Sequence, residues 1–450
     1  MSYSASIDYL LSLQKQGIKL GLEKMQMLLG LLGNPQKSFH VIHVAGTNGK
    51  GSVSAFCSSM LAAHGCRTGL YTSPHLVSFT ERIRINGAEI AESEVVAITE
   101  EIRGALDCHP DVSPPTFFEF VTAMAFLFFA RKKVEWAVVE TGMGGRLDAT
   151  NVVEPVVSVI TSISMDHCRH LGNSLAEIAE EKAGIIKRGV PVVSSSQCPE
   201  VQDVIAQTAA ARGCSVAFHG RDFFGRVKNS SLDGTEFDFV SGNETLAGCR
   251  VSLAGAFQAE NAAVALRAVS TALGVLRNGV QPIFSVEKAR SGLRDAVWHG
   301  RLEVVDRAPL TVVDGAHNPA AAEALAEFVR SSLAECDVIL VAGMLADKDI
   351  AGVMQPLCSC ASSVVITAPD SSRAADPELL ASCVRECGMD CEVVPSVPAA
   401  LEHARLLCRN RSALSGREPL ILVAGSLYVV GEARRACGSA SFLGEVREWR

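Results

Sequence analysis

The chain lacks any uninterrupted apolar run long enough to cross a bilayer. Its most apolar stretch, residues 121–130, follows Glu119 and falls well short of the about 20 residues that a spanning helix requires. It reads as a buried helix, and no membrane partner is expected. The opening Met1-Ser2-Tyr3-Ser4-Ala5 lacks the charged start of a signal peptide, and Leu10, Leu11 and Leu13 suggest an amphipathic helix of the fold instead. Also missing is any C-x-x-C pair among the 15 cysteines, which scatter from Cys57 to Cys437. Cys358/Cys360 and Cys383/Cys387/Cys391 lack the spacing and histidine partners of a zinc site, and an odd, dispersed set is no disulfide framework. Free thiols in a cytoplasmic protein are the expectation.

Positive charge is not in excess either. Lys and Arg number 41 against 49 Asp and Glu, a formal charge of −8, and no basic cluster stands out. This argues against nucleic acid as a partner and leaves room only for a local basic pocket. Low-complexity tracts and internal repeats are absent, and a composition 48% hydrophobic and 20% charged describes a globular protein. A chain of 450 residues exceeds the size at which one core keeps growing, so two domains are expected. A monomer is the working assumption.

What is present is a glycine loop, Gly46-Thr47-Asn48-Gly49-Lys50-Gly51-Ser52, directly after the apolar run at residues 41–44. Glycines at 46, 49 and 51 allow crowded or left-handed backbone that turns N–H groups toward an anion. Lys50 adds a mobile positive charge, and Ser52 a hydroxyl for a phosphate or a magnesium ion. Val53, Phe56, Met60 and Leu61 follow at helical spacing, so the loop opens a helix N-terminus, where phosphates bind. The pattern departs from G-x-x-x-x-G-K-[ST]: Val44 stands at its first glycine, and Gly51 separates lysine from hydroxyl.

From residue 40 to about 296, β-rich runs at 41–44, 136–140, 156–160 and 190–193 alternate with helical stretches. The alternation predicts a mostly parallel sheet flanked by helices. Shorter runs over 216–252 suggest hairpins at an antiparallel edge, and a helix is expected over 261–273. A second β/α series, at 310–314, 338–343, 363–367, 391–394 and 420–425, predicts a Rossmann-like domain without G-x-G-x-x-G. The fold class is therefore α/β: a P-loop domain at 1–296 and a Rossmann-like domain at 297–450.

Several residues at run ends could carry chemistry. Ser73, in Tyr71-Thr72-Ser73-Pro74-His75, offers a hydroxyl to magnesium from a turn that Pro74 fixes. Glu140 ends an apolar run, where a carboxylate is costly unless paired or holding a cation. Arg146 and Asp148, after Gly142-Met143-Gly144-Gly145, form either a turn salt bridge or substrate contacts. His167 is an uncomfortable magnesium ligand, since that ion prefers oxygen. Lys182 has no acceptor to offer a metal while charged; it is otherwise an N–H donor, or an ion pair on a helix closed by Gly184. The aromatic cluster at 117–120 is core or pocket wall.

The variant loop resembles that of the Mur ligase superfamily, most closely its folate branch of folylpolyglutamate synthases and bifunctional dihydrofolate synthases. The resemblance extends over residues 18 to 435, beginning with Ile18-Lys19-Leu20-Gly21-Leu22-Glu23 on the pterin side. It implies that Gly46, Thr47, Asn48, Gly49, Lys50, Gly51 and Ser52 bind ATP with Asn261, Arg301 and Asp314. It implies Mg²⁺, two ions, at Ser73, Glu140, His167 and a carbamylated Lys182, with a monovalent cation as a further candidate. Thr116, Leu147, Asp148 and Ala149 inherit the pterin side, and His317 and Ser426 face the incoming glutamate. Lys50, Lys182 and His317 are the expected catalytic residues.

The implied reaction joins L-glutamate to dihydropteroate and to reduced folates through an acyl phosphate. A folate-only synthase and a P-loop phosphotransferase or nucleotide switch are the competing readings. A peptidoglycan ligase fits Gly51-Ser52 and Gly144-Gly145-Arg146-Leu147-Asp148 less well. One departure from the family pattern is Phe257, before Gln258-Ala259-Glu260-Asn261, where a histidine is common.

Overall fold

The computed structural model of the protein describes residues 1–16, 21–275, 282–412 and 417–438. Residues 18–20 of the expected pterin-side loop lie outside them. The first lobe is built on eight strands: β1 (His40–Ala45), β2 (Thr68–Tyr71), β3 (Ile83–Ile85), β4 (Ala88–Glu89), β5 (Trp136–Glu140), β6 (Val157–Ile160), β7 (Val192–Ser194) and β8 (Val216–Phe218). Their spatial order is β4-β3-β2-β5-β1-β6-β7-β8. All neighbours are parallel except at β2-β3 and β3-β4, so the antiparallel edge of this sheet lies at residues 83–89.

Of the residues 216–252 expected as edge hairpins, β8 continues the large sheet in parallel, and the hairpins that follow form a sheet of their own. Strands β9 (Phe223–Ser231), β10 (Gly234–Ser241) and β11 (Glu244–Val251) pair antiparallel in the order β11-β10-β9. Phe223, Phe237, Cys249 and Val251 turn one face of it inward onto the helix Phe257–Val275. Alternation of apolar and polar residues lets one face bury while the other stays wet, and this separates the small sheet from the continuous apolar strands of the large one.

Both faces of the large sheet are covered. On one, the loop helix Lys50–Ala63 buries Val53, Phe56, Met60 and Leu61 beside the helix Phe257–Val275. On the other lies Phe117–Arg131, buried over almost its whole circumference. The Thr116 side chain and the Glu119 carboxylate cap the latter reciprocally, with Glu119 accepting from the Thr116 N–H at 2.7 Å. That cap accounts for a carboxylate heading so apolar a helix.

The second lobe carries β12 (Glu303–Arg307), β13 (Leu310–Val313), β14 (Cys336–Ala342), β15 (Ser363–Ile366), β16 (Cys391–Val393) and β17 (Glu418–Ala424). Their order is β12-β13-β17-β14-β15-β16, parallel apart from β12. The carboxyl ends of β1, β5 and β6 face those of β13, β14 and β17 across a crevice, the place where open α/β sheets bind ligands. The lobes approach closely there. A Cβ on Gly431 would collide with the carbonyl oxygen of Leu76, so a helix of the second lobe sits directly on the turn that follows Ser73. No helix among the described residues is long and apolar enough to cross a membrane.

Candidate active site

A cavity of about 540 Å³ fills this crevice. Its floor is the glycine loop. Gly46 has φ 153° and Gly49 φ 87°, and a Cβ on Gly46 would run into the Thr161 side chain. The Thr47 and Asn48 N–H groups, expected to face an anion, instead donate to the Ser162 carbonyl at 2.9 and 3.1 Å. Anion binding is left to the first turn of the loop helix, whose N-cap Gly49 brings no capping side chain. Lys50 Nζ folds back onto the carbonyls of Gly46 and Thr47, at 3.2 and 3.1 Å. Gly51 has a packing reason to be glycine: its Cβ would lie 2.5 Å from the Trp298 indole.

Around this floor the crevice gathers Ser52, Ser73, Glu140, His167 and Lys182 from the first lobe, with Asn261 from the helix Phe257–Val275. The second lobe adds Arg301, Asp314, His317 and Ser426. Thr116, Leu147, Asp148 and Ala149 do not line the cavity. Thr116 is a helix cap. Asp148 accepts from the N–H groups of Gly142, Met143 and Thr150 at 2.9–3.0 Å, so its carboxylate shapes the glycine turn after β5. Arg146 pairs with Glu181 at 2.6 Å rather than with Asp148, so the expected turn salt bridge is not formed and Glu181 is not the partner of Lys182. Gly184 follows the helix Leu175–Ala183 with φ −57°; it is glycine because a Cβ would strike the Arg146 backbone.

Three of the expected magnesium ligands have shifted protonation equilibria. Burial pushes the Glu140 carboxyl up to about 7 against the opposing charges of Lys50 and Arg301; it makes no close ion pair among the described residues, and the Ser73 N–H donates to it at 3.3 Å. Burial pushes the Lys182 ammonium down to about 7, with Lys50 adding to the effect; its Nζ donates to the Gly46 carbonyl at 2.6 Å. Burial, then Lys348 and Lys50, push His167 down to about 4 against the opposing pull of Asp166. A buried unpaired carboxylate, a neutral imidazole and a half-neutral amine make a donor set that fits a cation. Among the described residues no three His, Cys, Asp or Glu side chains converge on one point.

Asp166 and Lys348 were not singled out from the sequence. Lys348 Nζ meets the Asp166 carboxylate at 2.7 Å, both side chains 9% exposed, and His317 Nε2 lies 3.5 Å from the other oxygen. Burial alone would raise the Asp166 carboxyl; His317, His167 and Lys348 outweigh it and hold it well below the ordinary carboxylate range. Asp314 accepts from the N–H groups of Leu302 and Ala316 at 2.9 and 2.8 Å, which anchors its carboxylate at the end of β13. Arg301 lies against Gly315, where a Cβ would displace its guanidinium.

Residues 44–269 match the Mur ligase middle domain and residues 300–427 the Mur ligase glutamate ligase domain. The chain belongs to the Mur ligase family. A Bacillus subtilis dihydrofolate synthase/folylpolyglutamate synthase is 37% identical over 427 residues, 94% of this chain and 96% of that protein. The Escherichia coli dihydrofolate synthase/folylpolyglutamate synthase is 33% identical, covering 96% of each. Among solved structures, Mycobacterium tuberculosis folylpolyglutamate synthase complexed with ADP and AMPPCP superposes with a TM-score of 0.88 at 35% identity, covering 97% of this chain and 99% of that one. Like other Mur ligases of this branch, the protein is an ATP-dependent ligase, and a phosphotransferase or switch reading of the loop falls away.

Proposed function

We propose that this ligase adds L-glutamate to dihydropteroate, as a dihydrofolate synthase, and to the γ-carboxylate of reduced folates, as a folylpolyglutamate synthase. The observation that carries the reading is the joining of the phosphate loop and Glu140 with Arg301, Asp314, His317 and Ser426 in one interlobe cavity. The E. coli FolC structure in complex with DHPP and ADP, with a TM-score of 0.85 at 32% identity, supports the choice of substrates. We divide the chain into a P-loop domain at 1–296 and a glutamate ligase domain at 297–450. The helix Val286–Asp295 belongs with the first, since a Cβ on Gly292 would lie 2.5 Å from Met60 Cα of the loop helix.

A substrate carboxylate oxygen attacks the γ-phosphorus of ATP and ADP leaves, giving an acyl phosphate. The glutamate amine then attacks the acyl carbon, loses a proton, and phosphate departs. Both steps build negative charge on oxygen. Lys50, the first-turn N–H groups of the loop helix and Arg301 meet that charge, and one well-placed donor of this kind is worth about 3 kcal/mol of barrier. Asn261 and Asp314 hold the nucleotide, His317 and Ser426 receive glutamate, and the pterin side is assigned to Thr116 and residues 147–149, which lie outside the interlobe cavity. Ser73, Glu140, His167 and a carbamylated Lys182 would hold two magnesium ions. Bound magnesium would supply neutralising charge to the transferring phosphoryl group. The mobile proton of Lys182 suits carbamylation, since only the neutral amine takes up CO₂, and the carbamate N–H can still donate to Gly46.

The protein acts as a monomer in the cytoplasm in this account. All 15 cysteines are free, as a reducing compartment demands. A side-by-side assay with dihydropteroate and tetrahydrofolate tests the function, following labelled glutamate into product. Incorporation with both supports it, incorporation with tetrahydrofolate alone reduces it to a folate-only synthase, and phosphate release that ignores glutamate overturns it.

A further inference from the structure

Two short polar contacts join the lobes beside the phosphate loop, next to the longer approach of His317 to Asp166. The amides of Asn48 and Asn318 bond reciprocally: Asn318 Nδ2 donates to Asn48 Oδ1 at 2.9 Å, and Asn48 Nδ2 donates to Asn318 Oδ1 at 3.2 Å. Asn48 Nδ2 also reaches Ser164 Oγ at 3.2 Å, so its amide is engaged by protein on both sides. Asn318 is 3% exposed and at the same time caps the helix Pro319–Ser332, accepting from the Ala321 N–H at 3.0 Å. The second contact is the Lys348–Asp166 pair at 2.7 Å. Each joins residues far apart in the chain, and each neighbours a histidine of the cavity, His317 before Asn318 and His167 after Asp166.

We propose that Asn318 and Lys348 are positioning residues that clasp the second lobe onto the phosphate loop, fixing Asn48 and Asp166 so that His317 and His167 face one site. The inference rests on reading that cavity as the ligase centre. A carboxamide gives and takes a hydrogen bond in one plane without depending on protonation, which suits a matched asparagine pair. Lys348 sets a full positive charge against the buried Asp166 carboxylate, whose other oxygen faces His317. The clasp thereby makes a productive phosphate loop conditional on lobe contact. Asn48 serves closure rather than the nucleotide.

Asn318→Asp keeps the helix cap but replaces the amide donor facing Asn48 Oδ1 with an oxygen. Lys348→Gln removes the charge, and Lys348→Arg returns it. Amide hydrogen exchange over residues 46–52, in the ADP complex, is expected to quicken about 10-fold in Asn318→Asp and Lys348→Gln, the factor carried by one buried hydrogen bond. The kcat for glutamate addition falls on the order of 100-fold, as for a reacting group displaced by about 1 Å, with a smaller change in the KM for ATP. Lys348→Arg recovers both exchange protection and kcat. Unchanged protection in either variant, or none recovered by Lys348→Arg, overturns the clasp. Exchange is read without turnover, so a wild-type protein that incorporates no glutamate refutes the ligase reading separately.

Discussion

Glu140→Gln should stabilise the metal-free protein while abolishing its activity. The Glu140 carboxyl is buried at the end of β5, with its proton affinity raised from 4.5 to about 7. Below pH 4.5 the group is protonated whether the chain is folded or not. Between 4.5 and about 7 the folded protein keeps a proton that the unfolded chain has released, so stability falls as pH rises, and above 7 the whole penalty is present. That interval is worth about 3 kcal/mol. Glutamine carries no charge and still accepts from the Ser73 N–H, but buries an amide with few partners at a cost of about 1 kcal/mol. A net gain of about 2 kcal/mol at pH 8 follows, or a rise of roughly 4 °C in Tm for a lobe of this size. Calorimetry in EDTA at pH 5 and pH 8 measures it. The Tm difference between variant and wild type should be near zero at pH 5 and open to roughly 4 °C at pH 8, since His167 and the other buried groups titrate alike in both proteins, whereas excess magnesium should stabilise only the wild type. A Tm difference between the two proteins that does not grow with pH in EDTA, or a variant no more stable at pH 8, refutes the reasoning.

Lys182→Ala should lose ligase activity by at least about 100-fold, the scale of a lost charge-stabilising group, and regain part of it with short carboxylates that enter the space left; steady-state assays with and without acetate check this, and wild-type turnover without additive contradicts it. Gly184→Ala drives a methyl into the Arg146 backbone and should cost about 3 kcal/mol, at the upper end for overpacking, seen as a lower urea midpoint with an unchanged slope. Thr116→Ala removes the reciprocal cap of the helix Phe117–Arg131 and should cost about 1 kcal/mol, with the KM for the pterin substrate rising more than that for ATP.

The residues legible from sequence are those that end apolar runs. Glu140 and Asp314 close β5 and β13, where a carboxylate has no packing reason to be, and the loop announces itself through glycines that need positive φ or close approach. The parallel sheets were legible for the same reason, since buried strands are continuous apolar runs. Contacts between distant residues were not. Asn48 and Asn318 are separated by 270 positions, and nothing local to either implies the other. Lys348 sits in an ordinary charged stretch, and only the crevice makes it the partner of Asp166. Trp298 beside Gly51 was hidden likewise, and the 216–252 strands revealed their hairpins but not that these leave the large sheet.

The acyl phosphate is the central claim, and oxygen transfer tests it most directly. Substrate labelled with ¹⁸O in the reacting carboxylate should deliver one labelled oxygen to each phosphate released during glutamate addition, read by mass spectrometry of the phosphate. Amide product accompanied by unlabelled phosphate would contradict the account.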